Sequence, residues 1–473
     1  MRAPPHPPHH ALLPPRQPAR GGPGGARRRP RPQHAAPLPQ ADEVPRRARA
    51  AAGLVTVAGD LPQVRLYGRR ESRDAWEIRD LLSRSVVSFS WTPIDTDEQC
   101  LAVAGHPLAT ASLPLVVFPD GSRASDPTLA EVAARLGWVG SPRLAEYDLS
   151  IYGAGPAGLS AAVYAASEGL KVVVLERSAI GGQAGSSSLI ENYLGFPHGI
   201  AGADLAERAR QQAVSFGAEL LRMREGIRGR FADDRIHALL ADGTTVVART
   251  NICATGIQWR RLGLEREDEL LGVGLYYGAG TSEAPLCEGE DVVVVGGGNS
   301  AGQAVMNLSA HARHVTMLVR GPDLADSLSS YLAERVVRQP NVTILLDSRV
   351  TRLHGADALE SIEVENSATG AHGALATSHL FVCIGGEPDT TWAAETAIVR
   401  DSGGYLVTGP DLAGEHAARD WPLERAPFYL ETSVPGSFAA GDVRRSSVKR
   451  VASAVGEGAM AVTFAHRHLQ ETS

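Results

Sequence analysis

Leu149-Ser150-Ile151-Tyr152-Gly153-Ala154-Gly155-Pro156-Ala157-Gly158-Leu159 is the stretch from which the rest of this 473-residue chain can be read. A short apolar strand runs into a glycine turn, a helix leaves it over residues 160–169, and a second strand over 171–175 ends on Glu176. This is the order of a βαβ unit that holds a nucleotide. Gly153 permits the tight turn, Gly155 lets backbone approach a pyrophosphate, and Gly158 lets helix and strand pack closely. The helix N-terminus presents free N–H groups and a partial positive charge to phosphates, and Pro156 and Ala157, in the turn before it, are candidate contacts. Glu176 stands 23 residues after Gly153, where an acid accepts hydrogen bonds from ribose hydroxyls.

The arrangement recurs at Asp291-Val292-Val293-Val294-Val295-Gly296-Gly297-Gly298-Asn299-Ser300-Ala301, where a β-rich strand again feeds a glycine turn and a helix. Gly296, Gly298, Asn299, Ser300 and Ala301 are its candidate nucleotide contacts. Its second strand, 314–319, ends on Arg320 rather than on an acid. An acid there would bond both ribose hydroxyls, whereas an arginine can pair with a 2′-phosphate. The expectation is NADPH, with NADH as the alternative.

Composition sets the bounds. With 43% hydrophobic and 21% charged residues the chain reads as globular, and no apolar run has the length of a membrane span. Its four cysteines, Cys100, Cys253, Cys287 and Cys383, are scattered. That spacing excludes a disulfide framework and any Cys-x-x-Cys redox or metal pair, and a reducing cytoplasm fits it. No metal site and no Ser/His/Asp triad is legible. Residues 1–50 hold ten arginines against one aspartate and one glutamate, so they carry +8 of a total of −7 and leave −15 for the body. The body thus has no basic footprint for nucleic acid. Residues 1–52 contain 13 of the 30 prolines and are expected to be a disordered Pro/Arg-rich tail, either a basic arm for anionic surfaces or a dispensable extension.

Further blocks sharpen the reading. Ile180-Gly181-Gly182-Gln183-Ala184-Gly185 and Ile190-Glu191-Asn192-Tyr193-Leu194-Gly195-Phe196-Pro197 follow the first motif, and Ile252-Cys253-Ala254-Thr255-Gly256 ends a strand in a small turn. Later come Phe381-Val382-Cys383-Ile384-Gly385, then Gly436-Ser437-Phe438-Ala439-Ala440-Gly441-Asp442, and a helix opening at Lys449-Arg450-Val451-Ala452. In this order the blocks resemble the thioredoxin reductase family over about residues 147–470. The resemblance implies that Gly182, Gln183 and Asn192 wrap FAD, that Thr255 and Gly256 mark the return from the FAD domain, and that Asp442 bonds the ribityl chain. It also implies that the helix N-terminus at Arg450, Val451 and Ala452 faces the flavin edge. The family has further basic residues beside Arg320, where this chain has Gly321 and Ala325. Lys449 is one of only two lysines in the chain, which hints at a specific role.

The segment 54–140 reads as strand 64–67, helix 72–83, strand 86–94, strand 113–118 and helix 129–136. It resembles a thioredoxin or glutaredoxin fold, in which the proline matching Pro114 is cis. Where the catalytic dithiol should follow the first strand, this chain has Gly68-Arg69-Arg70-Glu71-Ser72. The resemblance places the reductase dithiol at Gly278 and Thr281, and neither is a cysteine. Tyr276 and Tyr277 would then stand near the flavin, where they stack on an acceptor or fill the vacated volume.

The expected fold is α/β, with two Rossmann-like domains, one for FAD and one for NAD(P), behind a small thioredoxin-like domain. The FAD domain is discontinuous (145–259 and 380–473) around an NAD(P) domain (262–379). The expected activity is a cytoplasmic FAD-dependent NAD(P)H oxidoreductase without a dithiol relay. Hydride would pass from NAD(P)H to FAD and on to a small molecule, a protein electron carrier or dioxygen. Alternatives are a ferredoxin- or flavodoxin-linked reductase, a redox-sensing or partner-binding flavoprotein without turnover, and a thioredoxin-disulfide reductase. The resemblance further implies a homodimer, with no membrane or nucleic-acid partner expected.

Overall fold

The structure, a computed structural model, describes residues 63–278, 283–414 and 421–472. The expected tail and the Thr281 position lie outside the described residues.

The chain opens with β1 (Val64–Gly68), α1 (Arg73–Arg84), β2 (Phe89–Pro93), α2 (Asp97–Ala104), β3 (Leu115–Val117), β4 (Arg123–Ser125) and α3 (Leu129–Arg135). Its sheet runs β2-β1-β3-β4, with β2 parallel and β3 antiparallel to β1. The Leu113–Pro114 peptide is cis. Three elements differ from the sequence reading. The second strand starts at Phe89, because Val86 takes a left-handed φ of 54° that ends the preceding segment. The helix α2 and the strand β4 were not foreseen. Only Cys100 of α2 is buried, so the helix has no apolar stripe to read. It stands on its N-terminal Thr96…Gln99 capping box.

Next come β5 (Tyr147–Tyr152), α4 (Pro156–Ser167), β6 (Val172–Glu176), α5 (Gly202–Ser215), β7 (Glu219–Arg222), β8 (Gly226–Ala232), β9 (Arg235–Leu240), β10 (Thr245–Cys253) and β11 (Ile257–Trp259). A second body holds α6 (Glu267–Leu270), β12 (Leu275–Tyr277), β13 (Asp291–Val295), α7 (Asn299–Leu308), β14 (His314–Leu318), α8 (Ser330–Val337), β15 (Val342–Leu345), β16 (Ser348–His354), β17 (Ser361–Asn366), β18 (Ala371–Ala376) and β19 (His379–Val382). The chain returns through β20 (Gly386–Pro388) and β21 (Ser437–Ala439) to the closing helix α9 (Val451–Glu471).

The first body is built on the sheet β7-β6-β5-β10-β9-β8, with β21 also on β10. The second is built on β12-β19-β13-β14-β15, all parallel. Val172-Val173-Val174-Leu175-Glu176 is buried at every position, as expected of a parallel strand covered on both faces.

The helix α4 begins at Pro156, one turn earlier than the sequence reading placed it, because proline is at home in the first helical turn. Its small side chains let α9 lie against it: Ala157, Ala161, Ala162 and Ala165 share a core with Ala454, Ala461, Val462 and Ala465. A Cβ on Gly458 would come within 2.1 Å of the Ala157 carbonyl oxygen. The Ser160 hydroxyl donates to the Val455 carbonyl at 2.7 Å. This close crossing brings the N-termini of α4 and α9 side by side.

The front unit is docked on both bodies. Trp76 of α1 donates from Nε1 to Glu283 at 2.9 Å, and its ring lies 6.0 Å from that of Tyr276. Arg73 donates to the Asp268 carbonyl at 3.3 Å. On the other body, Arg224 donates to the Gly140 carbonyl at 2.9 Å, and Arg222 sits 4.4 Å over the Trp138 ring.

Candidate functional site: a dinucleotide cavity between two helix N-termini

A cavity of about 410 Å³ opens where β5, β6 and β10 end, beside the N-termini of α4 and α9. Gly153, Gly155, Pro156, Ala157, Glu176, Gly182, Gln183, Thr255 and Gly256 line it, and so do Gly441, Asp442, Lys449, Arg450 and Val451. The two sequence blocks, almost 300 residues apart, thus meet at one place.

The first glycine turn is closely packed. Gly153 has φ 100°, and a Cβ there would lie 2.4 Å from the Ala254 carbonyl oxygen. A Cβ on Gly158 would lie 1.8 Å from the Gly153 carbonyl oxygen, so Gly158 is a packing residue and does not itself line the cavity. Gly155 and Gly182 face one another, with a Cβ on Gly182 only 3.2 Å from the Gly155 Cα. Neither α4 nor α9 has a side-chain cap, so both N-termini keep donors and partial positive charge for an anion.

Glu176 is tied to the turn itself. Its Oε2 accepts from the Ala154 amide at 2.8 Å and its Oε1 from the Ser178 amide at 2.9 Å, so the acid also pins the turn. A carboxylate oxygen has a second lone pair, which leaves room for ribose hydroxyls. Asp442 is half-buried, and burial raises its pKa against the pull of Lys449. Its carboxylate makes no hydrogen bond among the described residues, leaving both oxygens for hydroxyl donors. Lys449, whose pKa burial lowers, donates from Nζ to the Asp442 carbonyl at 2.6 Å. Thr255 donates to the Asp389 carbonyl at 2.7 Å and Gln183 to the Ile257 carbonyl at 3.0 Å, so both are oriented by backbone. Open helix ends, facing glycines and two acids fit a dinucleotide with a pyrophosphate between two polyhydroxyl arms.

Four expectations need correction. Asn192 is exposed and does not line the cavity, and its neighbours Tyr193 and Phe196 line a separate groove between α4 and α5. Ala452 is exposed on the outer face of α9 and is absent from the cavity wall. Tyr276 is buried in the core of the second body, stacked on Phe381 at 5.3 Å. Tyr277 is turned away to hydrogen-bond Glu267 and to accept from the Leu262 amide at 2.9 Å. Neither tyrosine lines the cavity, and the space that a side chain at Gly278 would need is taken by Trp259.

At the second glycine turn, Gly296 has φ 141°, and a Cβ there would meet the Cys383 carbonyl oxygen at 2.3 Å. Gly298 caps α7 without a side chain, and Asn299 Oδ1 accepts from the Ser329 amide at 2.8 Å. Ala301 is buried under the turn. Arg320 is exposed and has no hydrogen-bond or ion-pair partner among the described residues, so its charge is open to a phosphate. Ser300, on the first turn of α7, also reaches the first cavity.

Sequence reasoning missed several walls of the cavity. Gln303 and Ala304 follow Ser300 along α7, one helical turn on. Trp259, Cys383 and Arg84 have no motif to announce them. All four cysteines are buried and unpaired, and burial pushes the thiols of Cys253, Cys287 and Cys383 up to about 12. Gly278 lines the cavity, with φ 80°, and a Cβ there would stand 3.1 Å from the indole of Trp259.

The pyridine nucleotide-disulphide oxidoreductase model matches residues 147–458, which contain both glycine turns and the Asp442 block. The chain belongs to this family. It is 34% identical over 324 residues to a thioredoxin reductase of Treponema pallidum, and 32% identical over 324 residues to a 34.2 kDa protein in the rubredoxin operon of Clostridium pasteurianum. Each match spans 68% of this chain and 97% of the relative. Among solved structures, a thioredoxin reductase of Lactococcus lactis superposes with a TM-score of 0.62 at 27% identity, covering 69% of this chain and 99% of the other. This oxidoreductase of thioredoxin reductase type uses FAD and a pyridine nucleotide. The family match begins at residue 147, so the front unit lies outside it.

Among the described residues no helix of this oxidoreductase is long and apolar enough to cross a membrane, and no cluster could hold a metal ion.

Proposed function

We propose that the chain is an NAD(P)H oxidoreductase whose electrons leave FAD without passing through a dithiol of its own. The observation that carries this reading is the wall of the cavity. Cys383 is its only cysteine among the described residues, and burial pushes that thiol up to about 12, far from a reactive thiolate. Trp259 stands against Gly278, in the space a side chain there would need. The sequence has no Cys-x-x-Cys.

Bound FAD supplies two-electron chemistry between a nicotinamide and an acceptor. The protein's part is placement. The turn Gly153–Ala157 and the α9 N-terminus would bind the pyrophosphate and the electron-rich edge of the ring. Glu176 and Asp442 would take the hydroxyl-bearing arms, and Ser300 and Gln303 would bring the second body to the same cavity. Arg320 would receive a 2′-phosphate, which favours NADPH. The acceptor is a small molecule, a carrier protein or dioxygen. The front unit, with its β-α-β-α-β-β-α order, supports a thioredoxin-like domain without its dithiol. A homodimer in the cytoplasm completes the reading.

A thioredoxin-disulfide reductase is the second reading, favoured by the names of the similar proteins. Anaerobic addition of NADPH or NADH to the FAD-loaded protein is expected to bleach the flavin. No bleaching with either nucleotide would refute the oxidoreductase reading. NADPH oxidation that depends on added thioredoxin would refute only the absence of a dithiol route and install the second reading.

A further inference from the structure

We infer that Arg84, carried by the front unit, is a ligand of the FAD pyrophosphate, so that the front unit supplies one wall of the cofactor site. The family match starts 63 residues beyond this arginine, so the glycine motifs carry no trace of it.

Three observations converge on the guanidinium. It is the last residue of α1, yet it lines the cavity with Gly153, Gly155 and Gly182. Its Nη2 donates to the Gly182 carbonyl at 3.3 Å, and its Nη1 lies 3.4 Å from Asp80. Its Nε is buried and has no hydrogen-bond acceptor. Nε is closed off from the cavity, but one N–H on each of Nη1 and Nη2 is left over from the Gly182 and Asp80 bonds, and an anionic oxygen entering the cavity would accept from it.

Charge supports the same assignment. A pyrophosphate diester carries two negative charges, and a helix N-terminus answers with only about half a charge. Of the other cations at the cavity, Arg177 pairs with Asp389 at 2.9 Å and Lys449 is held by the Asp442 carbonyl, while Arg450 is exposed at the α9 N-terminus. Gly182 faces Gly155, the glycine that admits the pyrophosphate, so an arginine fixed to Gly182 stands beside the phosphates. Arginine suits the place, since its planar fork can hold a carbonyl and a phosphate oxygen together.

Titration of FAD and of riboflavin into the flavin-stripped full chain, followed by flavin fluorescence, tests this. Riboflavin lacks the phosphates. Arg84→Ala is expected to weaken FAD about tenfold or more and riboflavin by less than about twofold. Arg84→Gln can still donate to the Gly182 carbonyl and should weaken FAD in the same way, whereas Arg84→Lys keeps the charge and should recover part of the loss. Unchanged FAD affinity in the Ala and Gln variants would overturn the assignment. An equal loss of riboflavin would also overturn it, because Arg84 would then act only by holding the Gly182 loop. In the unaltered protein, bound FAD should shield Arg84 from phenylglyoxal; equal labelling with and without FAD would again refute it. If the unaltered chain binds no FAD at all, the cofactor assignment itself falls.

Discussion

At the scale of single residues, Glu176 shows how much one side chain can be asked to do. Its position after the second strand was legible, because an acid at that spacing has a known use. Its hold on the Ala154 and Ser178 amides was not legible, since it depends on where the turn folds back. Glu176→Ala should therefore lower stability as well as FAD affinity. Two backbone amides would lose a charged acceptor, at a cost of about 2–4 kcal/mol, while Glu176→Gln, which keeps one acceptor oxygen, should lose about half of that. Thermal melting of both variants without cofactor checks this, and unchanged melting in the Ala variant would contradict it. Arg84 and Trp259 mark the opposite limit. Neither lies in a spacing pattern, and only the packing of distant elements brings them to the cavity.

Among the elements, the parallel strands were the most readable. Runs such as Val292-Val293-Val294-Val295 are buried on both faces and admit few other interpretations. Helix starts were read less well, as the turn-early start of α4 at Pro156 shows. The apolar stripe of α1, Ala75, Ile78, Leu81 and Leu82, is buried and makes the helix legible by its period. The residues that matter for its docking lie off that stripe, and periodicity is silent about them. Trp76 is the chief of these, bonded to Glu283 and set against Tyr276. Trp76→Ala should cost about 2–4 kcal/mol, since a large aromatic contact and a hydrogen bond are both lost. Hydrogen exchange should show the loss as faster opening of α1 than of β5 or β13. Equal protection of α1 in variant and parent would show that the contact carries no stability.

On the scale of the whole molecule, stability should depend on pH with a definite sign. Burial lowers the pKa of His379 and of His468 below the ordinary 6.5. Their folded forms are neutral, so the unfolded chain takes up protons first. Stability is therefore full above about pH 6.5 and falls as pH drops towards the lower folded values. Glu267 adds a second loss further down. Burial alone would raise its carboxyl, but hydrogen bonds from Tyr277 and the Leu264 and Gly263 amides, with Arg261, hold it below the ordinary 4.5. The melting temperature should decline from pH 7.5 to 5.5, and His379→Phe, which keeps the stack on Tyr276 and Phe381, should flatten part of that slope. A melting temperature flat over that range would refute the assignment.

Gly272 carries a lesson for anyone who would borrow residues from shorter relatives. Its φ is 83°, and a Cβ there would sit 2.5 Å from the Trp76 indole. The position belongs to the matched family segment, but its neighbour belongs to the added front unit. A side chain here would strain the backbone and also push against a ring that the family segment does not contain. The front unit is thus fitted into its host as a key is cut to a lock, and grafts in either direction must recut both surfaces.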